Sequence, residues 1–495
     1  MVDSIAAEVT AARTASEDAA GDGSVFRLST GRKALYATGD LADGIINVSL
    51  NTYLLFYLTE VVGLSGSLAG AAVATALIVD AVADPVIGYM TDNTHSRWGR
   101  RHPYMLFSIF PFAIGFAALF AVPKFATTPE LFAYVLGALL VLRISYSTFI
   151  LPYAALGAEL SRDYADRSVL MTFRSFFNIC ANISCIVMGF GIFMSGATGL
   201  LNRAGYIHFG WAGAAVILIG GLISAASTVG FRAQLYQVAP ADRSASARFL
   251  GELRDLFRNS SFMILFVTIL TFFVAAGTAI SLLIYSFRYF WGMPTSVIQP
   301  LALAGTVGLI IGIPVSAILL QRFEKRDICV IGIALLCLCQ FLPPVLNLAG
   351  FMPGLGLALY TILGAVGVLS SCVITSTAIA FGSMLIDAAD EHDLLFGVRR
   401  EGLYFASLTF SVKAAVGVGA LFAGVALDVI GFPKDLAMHP NAIIPPGTER
   451  AIGLIAGPFT AMICLTSALV LTRYRLTKEN LLRVQRQLKE RSEAP

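Results

Sequence analysis

Charge is scarce in this chain: only 13% of its 495 residues are Asp, Glu, Lys or Arg, while 57% are hydrophobic. That balance excludes an ordinary water-soluble domain, whose surface needs about twice that charge. Histidine is scarcer still. Four of the five (His95, His102, His208, His439) fall in or beside loops and His392 sits in the turn DAADEHD, so no Ser/His, metal or phosphate motif rises above chance. The seven cysteines (Cys180, Cys185, Cys329, Cys337, Cys339, Cys372, Cys464) form neither disulfide pairs nor zinc spacings and read as small packing residues inside apolar runs. Residues 1–30 lack an apolar h-region and a cleavage site, and are expected to form a disordered cytoplasmic tail rather than a signal peptide. The net charge of +3 calls for no nucleic-acid partner. Asn47-Val48-Ser49 matches a glycosylation sequon, but it lies inside an apolar run and is discounted.

What the chain has instead is apolar stretches of about 18 residues or more, repeated along its length. They predict twelve transmembrane helices near 34–62, 68–91, 103–123, 129–159, 168–196, 208–234, 259–290, 297–322, 327–348, 353–388, 400–431 and 451–474. Lys and Arg then decide the orientation. Outside the spans, all but Lys124, Arg203, Lys434 and Arg450 fall on the side that carries both termini, which the positive-inside rule assigns to the cytoplasm. A multi-pass protein of the plasma (inner) membrane follows. The final segment, YRLTKENLLRVQRQLKERSEAP, alternates Leu481, Leu482, Val484 and Leu488 with basic residues and predicts an amphipathic helix lying on the anionic inner leaflet.

A weak repeat divides the chain at a long basic loop. GAELSRDYADR (Gly157 to Arg167) closes the fourth span and GSMLIDAADEHD (Gly382 to Asp393) the tenth; SRWGRR follows the second span and LQRFEKRD the eighth. Two six-helix halves in parallel repeat are the architecture of a major facilitator transporter, with the substrate site near the midplane between them. The expected division is a tail at 1–30, half-bundles at 31–234 and 259–474, a cytoplasmic linker at 235–258 and a cytoplasmic amphipathic tail at 475–495.

The charges inside the spans are where function is sought, because a charged side chain at the bilayer centre costs about 3 kcal/mol or more. Asp80 and Asp84 are one helical turn apart and face the same side. Two such acids cannot both stay ionised in low dielectric without a cation between them or a proton on one, which is the physics of a coupling-ion site. The plainer alternative makes Asp84, which precedes Pro85, a solvated polar residue near the end of its helix. Asp43, Asn47 and Asn51 form a polar stripe on span one, as do Arg174, Asn178 and Asn182 on span five; interhelical hydrogen bonding is the alternative for the Asn residues. Lys413 stands alone in span eleven. Arg143 and Arg288 are expected either to bind an anionic substrate group or to pair with the acids of spans one and two, and Arg288 also has the option of snorkelling outward near Trp291.

The stretch DAVADPVIGYMTDNTHSRWGRRHPYM resembles the signature of the glycoside-pentoside-hexuronide cation symporters, the melibiose-permease family, itself similar to sodium-dependent lysolipid symporters. LYATGDLADG, YLTEVVGLS, LPYAALGAEL and SMLIDAADEHDLLFGVRREGLYFASLTFSVKAAVGVG extend the likeness over roughly residues 33–431. The resemblance implies that Asp80 and Asp84 bind the cation, that Arg174 and Lys413 are substrate-side cations, that Tyr146 is an aromatic of the sugar pocket, and that Asp92, Arg97, Gly99 and Arg101 belong to the cytoplasmic gate. Departures from the family pattern shape the rest. Ile150 replaces a span-four carboxylate, Ala83 an asparagine, Gly44 a sugar-binding acid (with Asp43 and Asp40 nearby), and Ala154 and Ala378 two tryptophans. Sodium needs five or six oxygens and a proton needs one basic atom, so proton coupling is favoured over sodium; Ser147 offers one further oxygen.

The expected function is alternating-access, cation-coupled symport of a small organic solute, glycoside or organic-acid-like. The substrate is expected between Asp43, Arg174 and Lys413, with Asn47, Tyr146, Asn178 and Arg143 contributing. No cofactor is expected beyond the coupling ion, H+ or Na+. The partners are the solute, the cation and membrane lipid, and the working unit is a monomer. A lysolipid or amphiphile carrier of the same fold, a uniporter or exporter with vestigial acids, and a non-transporting membrane receptor or enzyme are the alternatives.

Overall fold

The computed structural model describes residues 28–94, 96–160, 164–196, 198–230, 254–398, 400–438 and 444–493. A helix satisfies every backbone N–H and C=O within one segment, the condition lipid imposes, and twelve helices are long and apolar enough to cross a membrane. They are Thr30–Val61 (span 1), Gly66–Asn93 (2), His102–Phe120 (3), Thr128–Leu160 (4), Asp166–Phe193 (5), Arg203–Thr228 (6), Ser260–Ser281 (7), Thr295–Arg322 (8), Lys325–Leu348 (9), Leu357–Phe396 (10), Glu401–Val429 (11) and Gly447–Leu471 (12). Most of the expected 1–30 tail, and the expected 235–258 linker up to residue 253, lie outside the described residues.

Two boundaries differ from expectation for local reasons. Span 6 begins at Arg203 rather than 208, because the Asn202 side chain accepts the Ala204 N–H and caps the helix. Span 10 runs to Phe396, two turns past the expected end at 388, and stops where Gly397 adopts a left-handed conformation (φ 76°).

The two halves repeat in detail. Span 1 ends in a π-helical turn at Tyr57–Val61, and the helix beginning at span 7 ends in one at Ser286–Phe290. In each, the chain closes with the same two backbone bonds: Val62 N–H to Tyr57 O and Leu64 N–H to Leu58 O in the first, Trp291 N–H to Ser286 O and Met293 N–H to Phe287 O in the second. A glycine with positive φ sits at the same point of both, Gly63 (85°) and Gly292 (64°). With the duplicated span order, this makes the fold an all-α major facilitator bundle of two pseudo-symmetric six-helix halves.

The side carrying the termini is called the near side, the opposite one the far side. At the far side the halves lock together along spans 2 and 11. Gly66 packs on the Gly424 backbone, Gly70 on Ala420 and Leu421, and Gly417 on Ala74 and Leu77; a Cβ at Gly66 or Gly424 would collide with the other's carbonyl. Asp428 accepts the Gly66 N–H (2.9 Å) and the Ser67 N–H (2.8 Å) at the start of span 2. The segment after span 11 lies over the end of span 1, donating from Asp435 N–H to Thr59 O and from Ala437 N–H to Glu60 O. Toward the near side the same spans part: Gly88 and Gly402, on the helix faces that carry Asp84 and Lys413, have nothing within 4 Å of a would-be Cβ.

The C-terminal helix Lys478–Glu493 is amphipathic as expected; one edge of it packs on the protein and Leu482 stays exposed. Its apolar edge, Val484 and Leu488, packs into the core of the second half, Gln485 donates to Asp390 of span 10, and Lys478 N–H donates to Glu324.

Candidate cation and substrate sites

Span 2 carries Asp80 and Asp84 at its middle, and Pro85 follows at once. Proline has no N–H to return to the Ala81 carbonyl and its ring crowds that turn, so the helix is loosened at the site. Both acids face the other half of the protein. Lys413 of span 11 sits between them, its Nζ 2.9 Å from Asp80 Oδ2 and 2.6 Å from Asp84 Oδ2. The three side chains are 0%, 15% and 17% exposed, so this is a buried triad, and Asp84 is not the solvated helix-end residue of the plainer reading. Ser147 of span 4 donates to Asp80 Oδ1. Arg143, one turn earlier on span 4, is buried within electrostatic range of Asp80 and Asp84 and leaves its Nε without a hydrogen bond. Asp84 Oδ1 is likewise buried with no hydrogen-bond partner.

The resemblance places Lys413 on the substrate side, and the sequence leaves Arg143 open between a substrate anion and the acids of spans one and two; the structure brings both to the acids of span 2. The reason is charge balance. Two carboxylates a turn apart in low dielectric require nearby cations, and these two side chains supply them from spans 4 and 11.

A second cluster joins spans 1, 4 and 5. Asp43 accepts hydrogen bonds from Tyr146 Oη (2.5 Å), Asn178 Nδ2 (2.8 Å) and Asn47 Nδ2 (2.9 Å). Asn47 is exposed although most of span 1 around it is buried, as a residue facing an open vestibule would be. Arg174, expected to meet substrate beside Asp43, lies instead against Asp40: Nε to Oδ2 is 2.8 Å and Nη2 to Oδ1 is 3.1 Å. Tyr153 closes this forked pair, donating to Asp40 Oδ2 (2.6 Å) while its ring lies 4.6 Å beneath the guanidinium. Asn182 donates back to Asn178, which orients the amide that reaches Asp43. Tyr153 is the residue that sequence reasoning missed, and Asp40, noted there only as an acid near Gly44, is the one that takes Arg174; the available signal was Asp40 lying one turn before Asp43.

The two clusters share one helix. Tyr146, bonded to Asp43, and Ser147, bonded to Asp80, are consecutive in span 4. A cavity of about 450 Å³ opens on a different face of that helix, between Phe107, Pro111, Ile144 and Thr148, separate from both clusters.

At the near side, the gate residues fall into two groups. Arg101 bridges Glu159 of span 4 (3.2 Å) and Asp92 (3.5 Å), and Arg100 also pairs with Glu159. Burial lowers the Arg101 pKa, and the Glu159 carboxylate opposes that shift. Arg97, in contrast, is exposed and lies 5.8 Å over the Trp98 ring. Its expected place in the ion-pair set is taken by Arg100 and Glu159.

Residues 35–478 match the family described as MFS/sugar transport protein. The chain belongs to that family. Among proteins similar to this MFS transporter are an uncharacterized symporter of Synechocystis sp., 26% identical over 93% of this chain and 97% of that protein, and an isoprimeverose transporter of Lactiplantibacillus pentosus, 25% identical over 82% of each. The crystal structure of a D-xylose-proton symporter shares the fold, with a TM-score of 0.57 at 15% identity over 90% of this chain and 96% of that one. The family is one of transporters, not enzymes, so this MFS transporter is an integral membrane carrier of small molecules.

Proposed function

We propose that the chain is a proton-coupled symporter of a small neutral polyhydroxyl solute, glycoside-like in chemistry, working by alternating access. The observation that carries this reading is the buried triad of Asp80, Asp84 and Lys413 with one carboxylate oxygen, Asp84 Oδ1, left without a partner. In this state the ammonium of Lys413 occupies the space a coupling cation would take. A proton arriving on Asp84 weakens its hold on Lys413, and release of Lys413 loosens span 2 from span 11. Ion occupancy is thereby tied to the contact between the halves.

Proton is favoured over sodium because the site offers two carboxylates and one serine hydroxyl, already facing two cations, and a hard metal ion needs more oxygens than that. The excess of Lys and Arg on the near side supports a cytoplasmic position for both termini, so the open vestibule faces the cytoplasm.

The solute class follows from charge. Arg174 is committed to Asp40, and Lys413 to Asp80 and Asp84, while Arg143 lies beside the same two acids. That leaves Asp43, Asn47 and Asn178 as an acceptor and two amides, a set suited to vicinal hydroxyls rather than to a carboxylate. This favours the glycoside half of the sequence expectation. The name of the isoprimeverose transporter is in keeping with such a solute.

The test uses purified protein in vesicles. Solute addition is expected to alkalinise the medium with or without sodium, and Asp84→Asn is expected to abolish gradient-driven uptake while keeping exchange. Concentrative uptake by that variant, or uptake that requires sodium, would overturn the proton assignment.

A further inference from the structure

One buried acid takes no part in either cluster. Glu60, in the π-helical turn that ends span 1, is 0% exposed at the closed far-side gate. Thr59 Oγ1 lies 3.1 Å from Glu60 Oε1, and Oε2 has no hydrogen-bond partner. Among the described residues the groups that act on this carboxyl are Thr59 and Asp435, and no cation is paired with it.

The neighbouring elements bring phenols and one further acid to this enclosure. Span 7 and its π-helical extension bring Tyr285 and Tyr289, whose phenols feel Glu60; Arg288 on the same turn acts on Tyr289. Span 6 brings Tyr206, and the segment after span 11 brings Asp435, itself an acid. Tyr285 is also bonded to Thr59, and Phe432 packs on both span-7 tyrosines. An ionised carboxyl in this enclosure would have lost its water without gaining a cation or a second donor, so the neutral acid is the form that fits.

The walls of the enclosure come from different halves. Glu60 and Tyr206 belong to the first half; Tyr285, Tyr289, Phe432 and Asp435 belong to the second. Separation of the halves at the far side necessarily exposes Glu60 to water, where a carboxyl ionises at neutral pH.

We propose that Glu60 is a second proton-binding site, distinct from Asp80 and Asp84, that holds a proton while the far-side gate is shut and releases it to the far-side solution when the gate opens. The bond that breaks is the carboxyl O–H, and water on that side accepts the proton. Gate opening is then linked to far-side pH: acid favours the shut gate, and raising the pH favours opening, by up to about tenfold in population per pH unit for one proton. The proposal rests on alternating access but not on which ion drives transport.

The experiment follows far-side access directly, without transport. A single cysteine replaces Thr52, buried in span 1 about two turns inside Glu60, in a background lacking the native cysteines, and its alkylation by a membrane-impermeant maleimide from the far side is timed between pH 5 and pH 8. The rate, corrected for the reagent's own pH dependence on a free thiol, is expected to climb with pH in the parent and to be flat in Glu60→Gln, which mimics the neutral acid. An equal slope in both, or a flat parent, would overturn the proposal. Infrared spectra of the shut state provide a second readout: a protonated-carboxyl band that Glu60→Gln removes is expected, and an unchanged band would be equally fatal. Failure here leaves the Asp84→Asn test untouched, and the reverse also holds.

Discussion

Replacing Asp428 by Asn tests how the shut gate is held. The carboxylate at the end of span 11 accepts two backbone N–H groups, at 2.9 Å from Gly66 and 2.8 Å from Ser67, where the positive end of the span 2 dipole is concentrated. A hydrogen bond to a charged group contributes about 1.5–3 kcal/mol, and asparagine keeps one acceptor oxygen without the charge. Asp428 is solvent-exposed, so the lower end of that range applies: about 1.5 kcal/mol is lost, close to a tenfold change in an equilibrium. The bonds join the two halves and exist only while the far side is shut. The loss therefore falls on one conformation. Alkylation at the Thr52 cysteine from the far side is expected to run about tenfold faster in Asp428→Asn, and faster again in Asp428→Ala, which removes both acceptors. Equal rates in the parent and both variants, with the proteins folded by circular dichroism, would show that the glycine contacts of spans 2 and 11 hold the gate without this latch.

Three further outcomes are expected. Lys413→Gln strips the cation from between Asp80 and Asp84, at a cost of about 3–5 kcal/mol for an uncompensated buried charge; the site relieves this by retaining a coupling cation, so exchange persists while accumulation fails, and normal accumulation in vesicles would refute the assignment. Asp43→Asn weakens the cluster formed with Tyr146, Asn47 and Asn178 and is expected to raise the apparent KM for the solute about tenfold with little effect on protein yield; an unchanged KM would exclude Asp43 from solute contact. Arg101→Ala is expected to lower the melting temperature in detergent by several degrees because it removes the buried pair with Glu159, whereas Arg97→Ala, at an exposed position, stays within about 0.5 kcal/mol of the parent.

The features legible in the sequence are those written in local spacing. Twelve apolar runs, a duplicated motif order, and two acids one turn apart are all statements about neighbours on one helix, and the structure realises each of them. The partners of those residues belong to another class. Lys413 reaches Asp84 across 329 positions, and only the packing of span 11 against span 2 brings them together. The same holds for Asp428 at the start of span 2. Arg174 chose Asp40 over Asp43, a difference of one turn on a single helix face. Periodicity registers the face but not the level. The C-terminal helix shows a further limit: an apolar stripe does not say what will cover it, and here the second half covers Val484 and Leu488 while Leu482 stays exposed.

Tyr146 and Ser147 stand next to one another on span 4, one holding the residue assigned to solute and the other the residue assigned to the ion. A rigid helix turns as a unit, so any rotation that frees one grip disturbs the other within the same movement. On the proposed reading such an arrangement behaves as a double-pole switch, tying the two grips to one helix movement without a signal travelling through the rest of the protein.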